Sequence, residues 1–181
     1  MLRGSGLPWP DGYPGWRGCA VEKQKAGRVC TPKRDAGLLC APHNKNSPQQ
    51  NGTPLFAENS VFAQFHKDLQ PIAQDTIITK ETPSAFVGTD LDARLKKQGI
   101  KKVIVAGLMT HMCISSTARD AVPLGYSVII PEDATATRDL DDGKGGVVDH
   151  DTLQRAALAG VADVFAEIMT TDQVMALAVE K

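Results

Sequence analysis

The stretch KKVIVAGLMTHMC, Lys101 to Cys113, decides the fold. Its apolar part, Lys102 to Ala106 (KVIVA), runs without polar alternation. That is the pattern of a strand buried on both faces of a parallel sheet. Gly107 interrupts the run, and helical spacing takes over from Met112 to Leu124, weakened near Pro123. Strand, glycine turn and helix make half of a crossover unit.

The same rhythm continues outward. Downstream, Tyr126 to Ile130 (YSVII) reads as the next strand and Asp149 to Ala159 as a helix. Asp163 to Ile168 reads as an edge strand, and Thr171 to Val179 as a terminal helix with Thr171 as N-cap. Upstream, Asp90 to Gln98 is an amphipathic helix closed by Gly99, and Asp75 to Thr79 (DTIIT) is a β-branched strand. Asn59 to Leu69 has Val61, Phe62, Phe65 and Leu69 near helical spacing. Gly37 to Pro42 (GLLCAP) resembles a short buried strand, and Asn44 to Pro54 a polar loop. Alternating elements of this kind predict an α/β fold whose parallel sheet is covered on both faces. Such sheets bind ligands outside the carboxyl ends of their strands.

The chain has 181 residues, a length that fits one domain. Its composition breaks near Pro54. Residues 1 to 54 hold both Trp, three of the four Cys and seven of the eleven Pro, with eight Lys/Arg against three Asp/Glu. The remainder has twelve against eighteen. Glycine and proline punctuate the start too densely for a helix or a central strand, so residues 1–36 are expected to be irregular. The net charge of -1 gives no electrostatic case for nucleic acid or an anionic membrane. No apolar run approaches the roughly 18 residues of a membrane span. The start shows no signal-peptide core, so a cytoplasmic protein with free thiols is expected.

Two strand exits carry reactive side chains: Lys80 after DTIIT, and Cys113 after KVIVA. If the strands are neighbours, both face one cleft. A thiolate is the nucleophilic form of cysteine, and a helix start and an ammonium both favour negative charge. Unpaired N–H groups at a helix start can hold an oxyanion. A carboxylate would still be wanted as proton acceptor and donor. The competing reading is plain: a lone cysteine is usually a small buried hydrophobe, and a lone lysine a solvated charge.

The residues from Ala106 to Leu140 resemble the nucleophile region of isochorismatase-like cysteine hydrolases. Gly107, Thr110 and Cys113 match G-x-x-T-x-x-C; Ser116, Thr117, Ala118, Arg119 and Ala121 match S-T-A-R-x-A. Gly125 and Tyr126 supply the following turn, and Asp133 and Ala134 close the block. Upstream, Thr79 to Leu95 resembles K-x-x-x-S-A-F-x-G-T-x-L, and Pro54 to Ser60 the loop before it.

The resemblance implies a three-layer α/β/α, Rossmann-like fold with residues 37–181 as the hydrolase domain. It implies a triad of Asp, Lys and Cys, with Cys113 as nucleophile and Lys80 as the lysine. It implies a cis peptide at Leu108–Met109 and an oxyanion hole made by the Met109 and Cys113 amides. Phe86, His111 and Met112 are implied candidates for the substrate pocket, Phe86 and Met112 reading equally well as core. The family's first strand, an apolar run such as I-D-x-Q that carries the triad Asp, is missing from the pattern. Asp11 and Asp35 follow no strand, and a truncated or mistranslated start would explain this. The spacing of His43, His66, His111 and His150 matches no metal site, so no metal and no cofactor are expected.

The expected function is hydrolysis of a C–N bond in a small amide through an acyl-enzyme, by a homo-oligomer with a small-molecule substrate. One alternative is a catalytically impaired relative that binds a ligand or assembles with homologues. Another is isochorismate-type vinyl-ether hydrolysis, which the missing Asp disfavours.

Overall fold

The computed structural model describes residues 75–177, Ala73, and the backbone of 38–42, 49–50 and 53–54. The expected irregular segment 1–36, the helix Asn59–Leu69, the residues His43, His66, Asp11 and Asp35, and the expected absence of the first strand lie outside these residues.

Strand β1 (Leu38–Pro42) runs parallel to β4 (Thr76–Lys80), with Leu38 opposite Thr76 and Pro42 opposite Lys80. Between them, β2 (Gln49–Gln50) and β3 (Thr53–Pro54) form a two-residue antiparallel ribbon inside the stretch expected to be loop. Helix α1 (Leu91–Lys97) sinks Leu91 into the core and faces solvent with i,i+4 ion pairs, Asp90–Arg94 and Asp92–Lys96, both at 2.8 Å. Such exposed pairs contribute little to stability, so the apolar face does most to place the helix.

Strand β5 (Lys102–Ile104) is shorter than the apolar run suggested, though the Val105 N–H still donates to the Ile129 carbonyl at 2.9 Å. The chain leaves the main sheet at Ala106, because β6 (Gly107–Leu108) turns to pair with β8 (Thr135–Ala136). A π-helical turn (Thr110–Ile114) leads into α2 (Ser115–Ala121). The helix stops before Pro123, and the Ala121 carbonyl accepts from both Leu124 and Tyr126 N–H. Strand β7 (Ser127–Pro131) lies between β5 and β11 (Glu167–Met169), all parallel. Flanked on both edges, β7 is buried from Val128 to Pro131.

After β7, β9 (Leu140–Asp141) and β10 (Val147–Val148) form an antiparallel ribbon. Helix α3 (His150–Ala162) starts at Asp149, whose side chain caps Thr152 N. It runs past the expected Ala159 because Val161 is still a core residue, 1% exposed. The edge strand therefore begins at Glu167 instead of Asp163. Helix α4 (Thr171–Ala176) is capped by Thr170, not Thr171: Thr170 and Gln173 close a capping box. Thr171 is instead buried, and both its N–H and its hydroxyl donate to Asp133 Oδ1, at 2.7 and 2.8 Å.

The main core joins Ile114, Ala118 and Ala121 to Tyr126, Val128 and Ile130 and to Leu158 and Val161 of α3. Each fully buried branched side chain contributes about 1.5–3 kcal/mol. A smaller cluster, Ile78, Ala85 and Leu91, sits under β4, and Phe86 and Leu95 touch both clusters. Arg119 fastens α2 to α3, donating to the Gly160 carbonyl at 2.8 Å and lying 4.4 Å over the Phe165 ring. The expected α/β class with a mainly parallel sheet is the class observed.

Candidate active site

In β4 the period of two turns Ile78 and Lys80 to the buried side and Ile77 and Thr79 outward. Lys80, at the carboxyl end of the strand, is only 6% exposed. A buried ammonium requires acceptors. Its Nζ donates to the carbonyls of Thr82 at 2.8 Å and Pro83 at 2.9 Å, and meets Cys113 Sγ at 3.5 Å. The two strand exits that the sequence singled out thus open on one place, although β4 and β5 belong to separate hydrogen-bonded sheets among the described residues.

Residues 81–90 carry no regular element and are shaped by hydroxyls. Thr82 Oγ1 donates to the Ser84 carbonyl, the Phe86 N–H donates to Ser84 Oγ, and Thr89 Oγ1 donates to the Ala85 carbonyl. The Ala85 N–H donates to Thr117 Oγ1 of α2 at 3.0 Å.

Cys113 lies in the π-helical turn and is partly buried. Single π-type turns of this kind recur at functional sites. The Met109 carbonyl accepts from both Met112 N–H and Ile114 N–H, at 3.0 and 3.2 Å. The Leu108–Met109 peptide is cis, as the resemblance implied. His111 Nδ1 shares a hydrogen bond with Thr137 Oγ1, and Thr137 is itself buried. Burial, and then the nearby Arg138 charge, hold the His111 pKa below its usual value, so the ring is neutral near neutral pH.

Phe86 stacks on Tyr126 with centroids 5.6 Å apart, so its contacts are those of a core residue. The Tyr126 hydroxyl donates to Asp92 Oδ1 at 2.8 Å. Burial, reinforced by that bond, pushes its pKa up to about 12. Met112 is half-buried beside the nucleophile. His150 stands at the start of α3, with Nδ1 2.8 Å from the Asp139 carboxylate.

Sequence reasoning missed Thr117, Thr137 and the carbonyls of Thr82 and Pro83. Thr117 was within reach, being one turn beyond Cys113; carbonyl acceptors leave no mark on a sequence. An open groove of about 340 Å³ lies beside this loop, lined in part by Thr82, Ser84, Ser116 and Arg119, but not by Cys113. Among the described residues no cluster of three His, Cys, Asp or Glu could hold a metal ion, and no helix is long and apolar enough to cross a membrane.

A family model described as the isochorismatase domain matches residues 23–173. A secreted isochorismatase effector of Verticillium dahliae is 36% identical over 123 residues, which is 68% of this chain and 62% of that protein. Nicotinamidase 3 of Arabidopsis thaliana is 33% identical over 64% of this chain and 68% of its own. A crystal structure of a cysteine hydrolase from Pseudomonas syringae superposes with a TM-score of 0.81 at 26% identity, covering 93% of this chain and 84% of that one.

Proposed function

The chain belongs to the isochorismatase family, and we propose that it is a cysteine-dependent hydrolase of C–N bonds in small amides. The observation that carries this reading is the buried Lys80 ammonium 3.5 Å from Cys113 Sγ. A cation held at that distance by two backbone carbonyls complements a thiolate.

In the proposed reaction Cys113 Sγ attacks the amide carbonyl carbon, and the charge that develops on oxygen is held by the Met109 and Cys113 N–H groups. The C–N bond breaks as the amine takes up the proton that the Cys113 thiol gave up, leaving a thioester on Cys113. Water attacks the thioester, which releases the carboxylic acid and restores the thiol. His111 meets the substrate as a neutral ring, its Nδ1 committed to Thr137, and Met112 supplies an apolar wall. The likeness to a nicotinamidase supports an amide as the bond cleaved, and the likeness to a cysteine hydrolase supports the thiol.

The test is a panel of small amides with the wild-type protein and Cys113→Ala. Turnover by the first and none by the second is expected, together with labelling of Cys113 by iodoacetamide ahead of Cys19, Cys30 and Cys40. Turnover that survives Cys113→Ala overturns the reading. A wild-type protein that binds amides without cleaving any would instead be a ligand-binding relative.

A further inference from the structure

We propose that Thr117 is a positioning residue for the Lys80–Cys113 pair, a role that rests on Cys113 being the nucleophile. Thr117 follows Cys113 by four residues on the same helical run and is 8% exposed. Its Oγ1 accepts the Ala85 N–H at 3.0 Å, a buried bond between residues 32 apart in sequence. Ala85 stands directly after Thr82-Pro83-Ser84, and the Thr82 and Pro83 carbonyls both accept from Lys80 Nζ. The contacts therefore close a ring. It runs from Cys113 along the helix to Thr117, across to Ala85, back through the loop carbonyls to Nζ, and from Nζ to Sγ.

The other hydroxyl bonds of the loop join near neighbours and shape it locally. Among the described hydrogen bonds of residues 81–90, Ala85–Thr117 is the one that reaches the helix carrying Cys113. Without it the loop keeps its turns and the packing of Phe86 but loses its hydrogen-bonded tie to that helix, so the carbonyls that accept from Nζ are less firmly placed against Cys113. A catalytic pair loses efficiency steeply with small misplacement.

The discriminating pair of variants is Thr117→Val, which keeps the shape and removes the acceptor, and Thr117→Ser, which keeps the acceptor. The readouts are the rate of Cys113 carbamidomethylation by iodoacetamide, resolved by peptide mass spectrometry, and the ultraviolet absorbance of the thiolate. Thr117→Val is expected to slow alkylation about tenfold and to lower the thiolate absorbance, with Thr117→Ser within about twofold of wild type. Thr117→Val alkylated at the wild-type rate, even with a lowered melting temperature, overturns the proposal and leaves Thr117 a structural residue. Equal losses in both variants overturn it too. Wild-type Cys113 that resists alkylation overturns the nucleophile reading and this proposal with it. If Thr117→Val does not fold, hydrogen exchange of wild type decides: an Ala85 amide protected like those of β7 upholds the anchor, and one exchanging like an exposed loop amide overturns it.

Discussion

Lys80 Nζ meets Cys113 Sγ at 3.5 Å across 33 residues of sequence, the lysine from the end of β4 and the cysteine from the π-helical turn beyond β6. Replacing Lys80 by Met keeps the aliphatic stem and removes the charge. Charge-assisted hydrogen bonds are worth about 1.5–3 kcal/mol, so Lys80→Met should slow alkylation of Cys113 by roughly tenfold to a hundredfold. Peptide-resolved kinetics with iodoacetamide measure this, and an unchanged rate would take the ammonium out of the chemistry.

Asp139 Oδ1 accepts both the backbone N–H and Nδ1 of His150, each at 2.8 Å. The bond to Asp139 is the first cause holding the His150 pKa above its usual value, and His150 in turn holds the Asp139 carboxyl below its own. The histidine part of the stabilisation is complete below the unfolded pKa of about 6.5 and is lost as pH rises through the raised folded value. The aspartate part is complete above an unfolded pKa of about 3.9 and is lost as pH falls through the depressed one. Thermal melts of wild type and Asp139→Asn should therefore differ most near about pH 5.5 and converge toward about pH 8. A gap that widens with pH would contradict the pairing.

Tyr126→Phe removes the hydroxyl that Asp92 accepts, and should cost about 1 kcal/mol in denaturant unfolding near neutral pH. With the folded pKa at about 12, the unfolded chain ionises first as pH rises. The wild-type advantage should shrink from about pH 10 upward. An advantage that stays constant through that range would show that the phenol is not shielded.

Gly107 has φ +127°, and a Cβ there would meet only Ile114 Cδ1, at 3.7 Å. The obstacle to a side chain is thus the backbone conformation and not the space. Gly107→Ala should cost about 1–3 kcal/mol, read from the urea midpoint, and should disturb the β6–β8 pairing just ahead of the nucleophile turn.

Much of this was legible in the sequence. Apolar runs such as KVIVA and YSVII read as buried parallel strands, and the exits of KVIVA and of the β-branched DTIIT pointed to Cys113 and Lys80. What escaped has physical causes. Helical spacing cannot separate a π turn from the α-helix that follows it, so the element holding Cys113 was expected to start later and to be uniform. Thr170 and Thr171 carry the same capping hydroxyl; Gln173, three residues after Thr170, is the signal that separates them, and Thr171 is buried against Asp133. Two-residue strands such as β9 and β10 bury too little to leave a pattern. Asp133 and Ala134, matched as a family motif, turn out to fasten α4 and fill the core, since Ala134 is fully buried.

The segment from Thr82 to Thr89 is knit by small hydroxyls, which makes its tolerance to mutation a matter of chemistry more than volume. At Thr82, Ser84, Thr89 and Thr117, Ser and Thr should be largely interchangeable. Val and Ala of similar bulk should be rejected, the reverse of the rule at Ile130 and Val161. In a saturation library this stretch would stand out as a band selected for oxygen, lying beside a sheet selected for hydrocarbon.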